Sequence, residues 1–381
     1  MGQPVGRVDR VAAFGAVVAL AGCFVLPFVE FRANRIVSGT PQTIAVAGTW
    51  GWALVAVCVT GLAAAIASPA ARRGALVLAA GVATASLLPW ALGSAAVSLQ
   101  AGTDAVSRVS VGDGSWLVLV GAVIVLFQGS RSRPPAWLRW CALAAVAVAW
   151  ALSATAGGLA ELSLAKEFAA QSRRFWQLVG EHLVLSSAGL AFGVLFGVPL
   201  GVLASRNRIV RNATLSVVGT LQTVPSLALL GLLVFPLTAV GLHGIGSTPA
   251  IIALTLYALL PVVRNTYVGL AGVDPAALDA GRGMGMSRAQ LLLRVEAPLA
   301  LPLVLEGVRA AAVLVIGIAA VTAFVGAGGL GILVFQGWGQ QADDLTLLGA
   351  IPMVVLAVVA DAALRLLTAL VVSPGIREEV A

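Results

Sequence analysis

The chain has 381 residues, 60% of them hydrophobic and only 10% charged, with a mean hydropathy of +1.01. A soluble domain carries about 25% charged residues, so this composition excludes a water-soluble globular protein. The formal charge of +7 does not indicate nucleic acid, because the Arg residues stand between apolar segments and form no block or stripe.

Lipid accepts only helices or closed barrels, and the apolar runs here are long enough for helices. The sequence predicts an all-α integral membrane protein with about ten spans, at 11–29, 50–67, 75–93, 115–128, 137–157, 182–203, 215–237, 249–268, 300–323 and 345–371. With the N-terminus in the cytoplasm, 17 of the 23 Lys and Arg residues fall on the cytoplasmic side. The positive-inside rule then favours ten spans with both termini cytoplasmic. The first apolar segment is full length and is followed by others, so it is expected to be a span and not a cleavable signal. Cys23, Cys58 and Cys141 lie within apolar segments, too scattered for a metal site or disulfides, and are expected to be small buried hydrophobes.

Four regions are expected. Residues 1–157 form a five-span N-terminal membrane region without polar residues that suggest chemistry. Residues 158–181, GLAELSLAKEFAAQSRRFWQLVGE, read as an external polar linker. Residues 182–372 carry five spans, and residues 373–381 form a cytoplasmic tail. Function is expected in 182–372, where Gln222, Thr223, Pro225 and Ser226 share one span and Gly326, Gly328, Gly329 and Gly331 form a Gly-rich run after another. Such residues are costly at membrane depth unless they face protein or a water-filled path. Pro225 breaks the helix ladder, as happens along transporter pathways, although small residues also serve helix packing. The GAGGLG run follows a membrane span on the external side, where a dinucleotide fingerprint needs a preceding strand, and reads as a bend near a gate.

The segment 269–298 is the most polar loop between spans in this half. Asp274 before Pro275 is a helix-start signal. AALDAGR can run as two turns, which Gly281, Gly283 and Gly285 loosen and end. Ser287 with Gln290 fits a capping box, so a second short helix is expected to start there and to end at Pro298. A mere connector needs only a handful of residues. A helix–Gly–helix knob of this length suggests a cytoplasmic docking point for a separate protein.

The knob resembles the EAA loop of the permeases of type I, binding-protein-dependent ABC importers. That pattern is E-A-A, three residues, Gly, nine residues, then I-x-L-P. Asp279, Ala280 and Gly281 stand at E-A-A, Gly285 at the spaced Gly, and Val295 and Pro298 at Ile and Pro. Asp for Glu, Gly for the second Ala and Ala297 for Leu are the departures. LQTVPSLALLGLL (221–233), AIIALTLYALLPVVRNTYVGL (250–270) and VTAFVGAGGLGILVFQG (321–337) are similar to the osmoprotectant branch, which imports glycine betaine, choline or carnitine. The resemblance covers about 180–372, and the chain looks like the longer members with extra N-terminal spans. It implies a bacterial inner-membrane permease subunit, a second permease copy or paralogue, two ATPase subunits and an external solute-binding protein. Catalysis, ATP and Mg would reside in the ATPase chain.

Other motifs are weaker. A phosphate-binding loop needs G-K-[ST], and the sole Lys, Lys166, lies in LAKEF with no Gly before it. Glu306 with Arg309, and Asp361 with Arg365, sit at helical pairing distance. They read as structural pairs, or, in an alternative proton-coupled secondary transporter, as a proton relay. His182 and His243 are expected to be external, single and not metal ligands. Trp338 and Phe335 are external aromatic candidates for a quaternary ammonium, although the resemblance puts such a cage on the binding protein.

Overall fold

The computed structural model describes residues 8–34, 37–103, 106–132 and 134–372. Arg7, Arg35, Arg133 and Arg377, used in the charge count, and the tail 373–381 lie outside them. The chain divides into two units, Met1–Ala170 with Gly339–Asp344, and Gln171–Trp338 with Leu345–Ala381.

The first unit contains α1 (Arg10–Phe24), β1 (Val29–Arg32), β2 (Thr40–Gln42), α2 (Gly48–Ala67), α3 (Ala70–Gln100), β3 (Arg108–Val111), α4 (Asp113–Arg131), α5 (Ala136–Thr155) and α6 (Ser163–Ala170). Helix α1 is shorter than the expected span 11–29, because the chain leaves the helix before Pro27 and turns into β1. Gly15 and Gly22 on α1 meet Gly121 and Gly114 on α4, where any Cβ would strike the facing helix. Small residues at such a crossing let backbones approach closely without a hydrophobic drive in lipid. In α3, Pro89 has no N–H for the Ala85 carbonyl, and the Trp150 indole of α5 donates to it at 3.1 Å.

The helical architecture carries one addition that hydropathy does not show. Strands β1, β2 and β3 form an antiparallel sheet in the order β2-β1-β3, with Val29 paired to both Gln42 and Val111. Strands of three and four residues are too short to register as alternation. The sheet rests on a core of Phe28, Val29, Leu54, Leu88, Val109 and Val118. Asp343 and Asp344 belong to this unit: Arg32 donates to Asp343 at 2.9 Å, and the Ser110 hydroxyl donates to Asp344.

The second unit contains α7 (Ser172–Arg206), α8 (Arg208–Thr223), α9 (Ser226–Ala239), α10 (Ser247–Ala271), α11 (Pro275–Gly283), α12 (Arg288–Leu291), α13 (Ala297–Ile318), α14 (Gly331–Gly339) and most of α15 (Asp343–Val371). Its centre is the pairing of α7 with α10. Gly189, Gly193, Gly197 and Gly201 recur every fourth residue and face Leu254, Ala258, Val262 and Thr266, which keep the same spacing. A Cβ on Gly201 would lie 2.5 Å from that of Thr266, so the two helices pack as close as backbones allow. The stretch 172–181, read as linker, is the start of α7. His182 therefore lies within a helix and is fully buried, with Nε2 3.1 Å from the Ile316 carbonyl.

Among the described residues eight helices are long and apolar enough to cross a membrane, and the bent pair α8–α9 raises this to nine. The fifteen-residue α1 makes a tenth apolar segment. Cys23 and Cys58 are buried as expected, whereas Cys141 is exposed. It lies on α5, the span with the smallest buried share.

Candidate functional site: the knob and the broken helix

The knob is defined by its caps. The Asp274 side chain accepts from the Ala276 amide at 2.9 Å and starts α11. The helix then ends in a Schellman motif: the Met286 amide donates to the Gly281 carbonyl at 3.2 Å, and the Gly285 amide to the Arg282 carbonyl at 2.9 Å. Gly285 carries the left-handed backbone this motif requires, with φ +77°. Two residues later Ser287 and Gln290 form a reciprocal capping box, with bonds of 2.8 and 3.3 Å. Gly281 is buried beneath Leu291, Met286 and Val295, so the knob folds over its own small core. Asp279 pairs with Arg282 at 2.8 Å, but both side chains are exposed and the pair adds little. Asp279, Ala280, Gly285 and Pro298 are exposed and Val295 is half-buried. Met284 and Leu293 are apolar yet each at least 70% exposed.

The second short helix does not end at Pro298. It passes through a π-helical turn, Leu292–Glu296, directly into α13. The Ala297 amide donates five residues back to the Leu292 carbonyl. This widened turn lets the backbone run past Pro298, which lacks an amide proton for the ordinary ladder. The knob is thereby continuous with a span. Glu296, at the end of the π turn, is 2% exposed and forms an ion pair with Arg206 at the end of α7.

The broken helix is the second feature. The expected single span 215–237 bends by 109° between α8 and α9. Val224 precedes a proline and is extended, with ψ 125°, and Pro225 cannot donate to the ladder. Two side chains close the break. The Tyr257 hydroxyl of α10 donates to the Val224 carbonyl at 2.6 Å, and Gln222 Nε2 donates to the Tyr257 carbonyl at 3.0 Å. That carbonyl is free because Pro261, four residues on, has no amide proton. Thr223 bonds only its own helix, at the Thr220 carbonyl. Ser226 opens α9.

The Gly-rich run has a comparable lock. Gly326, Gly328 and Gly329 adopt φ of +73°, +92° and +85°, and Gly331 begins α14. The Gly329 amide donates to the Glu181 carboxylate of α7 at 3.0 Å, while Gln177 orients that carboxylate at 2.9 Å. A Cβ on Gly328 would strike Glu181, and one on Gly331 the Ala320 carbonyl.

Comparison with known proteins is decisive at this point. Residues 193–372 match the model for the binding-protein-dependent transport system inner membrane component. Residues 9–165 match the N-terminal domain of the ABC transporter permease YehY. The chain is 43% identical over 198 residues to the carnitine transport permease protein OpuCB of Listeria monocytogenes, covering 52% of this chain and 88% of that one. The chain belongs to the binding-protein-dependent ABC importer permeases. It is also 41% identical over 200 residues to the osmoprotectant import permease protein OsmW of Salmonella typhimurium, covering 52% of this chain and 93% of that one. A solved inward-facing MetNI methionine ABC transporter aligns at 25% identity with a TM-score of 0.47, over 53% of this chain and 96% of that one. The permease is thus a multi-pass inner-membrane transport subunit, and in its family ATP and Mg are handled by a separate ATPase.

In the permease, Glu306 with Arg309 and Asp361 with Arg365 join into one network. Arg309 on α13 bonds Glu306 and reaches Asp361 on α15 at 2.8 Å, and Arg365 closes on Asp361 at 2.8 Å. Among the described residues no group of His, Cys, Asp or Glu could hold a metal. Phe335 lies against Phe324, with ring centroids 4.1 Å apart, and Trp338 is 74% exposed. Sequence reading missed Glu181, Arg206, Tyr257 and Glu296. The spacing Gly189–Gly201 was visible in the permease sequence and would have located the α7 face.

Proposed function

We propose that this permease imports a betaine-like osmoprotectant and is driven through the knob 274–298 by an ATPase bound on the cytoplasmic face. In this reading Asp279, Ala280, Gly281, Gly285, Val295 and Pro298 form the coupling loop. The full assembly is two ATPase subunits, this chain with a second copy or a paralogue, and an external solute-binding protein. Both termini are cytoplasmic, and residues 1–157 form a separate N-terminal membrane region. The observation that carries the coupling role is mechanical. The knob is capped at both turns, runs without a break into α13, and is tied to α7 by the Glu296–Arg206 pair, so force applied to it reaches two spans at once. The exposed Met284 and Leu293 give it an apolar surface for a partner. Gln222, Thr223, Pro225, Ser226 and the run Gly326–Gly331 line or gate the path, since both breaks expose helix ends that can move. The substrate class follows the relatives' names.

The test is affinity purification of the tagged chain from mild detergent, with co-purifying proteins identified by mass spectrometry. A stoichiometric ATPase, lost when Gly285→Arg is introduced into a protein that still inserts, supports the coupling role. Normal uptake by that variant refutes it. A proton-coupled secondary transporter would instead appear as a solitary chain moving solute in proteoliposomes under a proton gradient without ATP. The engagement of Glu306 and Asp361 with Arg309 and Arg365 disfavours a free proton carrier there.

A further inference from the structure

Helix α13 stops at Ile318, shortly before the Gly-rich run, and its last carbonyls lose their helical donors. The Ala320 amide, which would serve Ile316 in an unbroken helix, donates to the Gly317 carbonyl at 3.3 Å instead. The replacement comes from α7, where His182 Nε2 lies 3.1 Å from the Ile316 carbonyl. A carbonyl only accepts, so Nε2 carries the proton and Nδ1 holds a lone pair. Nδ1 has no partner among the described residues although the ring is fully buried, so the bond to α13 is the ring's one hydrogen bond. The ring also meets the run itself: a Cβ on Gly329 would lie 3.3 Å from Nδ1. One residue earlier, Glu181 Oε2 accepts from the Gly329 amide at 3.0 Å, and Gln177 donates to Oε1 at 2.9 Å.

Two consecutive side chains of α7 thus act on the run from outside it. His182 caps the helix that leads into it, and Glu181 holds an amide within it. The run has little means of keeping its own shape, because Gly326, Gly328 and Gly329 all adopt positive φ and glycine leaves the backbone free. Packing alone does not explain these residue types. A leucine at 182 would fill the space without burying a polar ring, and the Ile316 carbonyl is what the imidazole serves. We propose that Glu181 and His182 are positioning residues for transport, holding the run Gly326–Gly331 in the geometry in which it gates the path. The proposal rests on the gate reading of that run. Displacing the run from α7 breaks a charge-assisted bond and leaves the Gly329 amide bare, so this bond resists its departure.

The test has two arms. In the first, amide hydrogen exchange is followed on the purified full-length chain in maltoside, resolved to single residues by electron-transfer fragmentation. Glu181→Ala should speed exchange at Gly329 by about tenfold to a hundredfold. The Ala327 amide, which donates to the Thr322 carbonyl inside the loop, should change much less. Glu181→Gln keeps the size and an acceptor oxygen but loses the charge, so it should fall between and remains interpretable should the Ala variant fail to fold. In the second arm, uptake of labelled glycine betaine is measured in cells. Glu181→Ala and His182→Leu should lower the maximal rate about tenfold with KM unchanged, and both should still co-purify the ATPase, which Gly285→Arg does not. His182→Gln places an N–H at the reach of Nε2 and should restore most of the rate; a role in packing alone predicts no such rescue. A parent chain that takes up no glycine betaine counts against the transport reading, and the exchange arm then decides whether the two residues hold the run. Parent-like exchange at Gly329 in Glu181→Ala, parent-like uptake by that variant, or equal rates for His182→Leu and His182→Gln overturns the proposal.

Discussion

Three glycines within five residues of the knob look alike in sequence and differ in physics, which makes them a sensitive test of its geometry. Gly283 ends α11 in helical conformation with nothing within 4 Å of an added Cβ. Gly283→Ala should be neutral or stabilising by up to about 0.5–1 kcal/mol, since alanine narrows the unfolded ensemble. Gly285 also has open space around it, but φ is +77°. Gly285→Ala should cost about 1–2 kcal/mol of backbone strain with no steric component, and Gly285→Asn should recover part of that. Gly281 has ordinary backbone, yet its Cβ would sit 2.6 Å from Leu291 Cδ1. Gly281→Ala should cost about 1 kcal/mol, the low end for overpacking, because the end of a leucine side chain can yield. The assay is thermal unfolding in detergent with ATPase co-purification and uptake measured on the same preparations. Gly283→Ala should match the parent in all three, while Gly281→Ala and Gly285→Ala fall in stability and coupling. Equal loss of ATPase by Gly283→Ala and Gly285→Ala, or a neutral Gly285→Ala, would refute the capped-knob argument.

The Arg206–Glu296 pair should respond asymmetrically: Arg206→Ala strands a carboxylate that is 3% exposed and should cost roughly 2–3 kcal/mol, whereas Glu296→Gln leaves an Arg that is half in solvent and should cost less. The double variant should regain stability over Arg206→Ala in the same melts. On α7, Gly193→Ala should lower the melting temperature by the equivalent of about 2 kcal/mol through collision with Ala258, while Gly180→Ala, with open space around it, should not. Gln222→Leu leaves the Tyr257 carbonyl bare and should cost about 1–2 kcal/mol, and Tyr257→Phe, which removes the donor to the Val224 carbonyl, should cost a similar amount in the same melts.

The parts of the fold legible in the sequence are those set by local rules. Asp274 before Pro275 and Ser287 three before Gln290 fix the two helix starts through contacts within one turn, and both caps form as read. The span count was legible because each apolar stretch must bury its backbone in lipid whatever its neighbours do. What could not be read depends on a distant partner. Glu296 looked like one more loop carboxylate, and only the arrival of Arg206 from α7 makes it a buried tie. Glu181 looked like linker until α7 began at Ser172 and brought it to the amide of Gly329. Pro298 was misread because proline ends a helix only where the ladder has no slack, and the π turn before it supplies that slack.

Proline is the thread joining these cases. Pro89 frees the Ala85 carbonyl for Trp150, and Pro261 frees the Tyr257 carbonyl for Gln222. A bare carbonyl inside a membrane protein is costly, so a side chain from a neighbouring helix is held where the ladder lapses. The same proline that weakens one helix thus specifies its contact with another. At Pro225 the consequence goes further. The Val224 carbonyl is satisfied by Tyr257 and not by its own helix, so the break leaves that carbonyl partnered. This accounts for a break of 109° being tolerated in the middle of an apolar stretch.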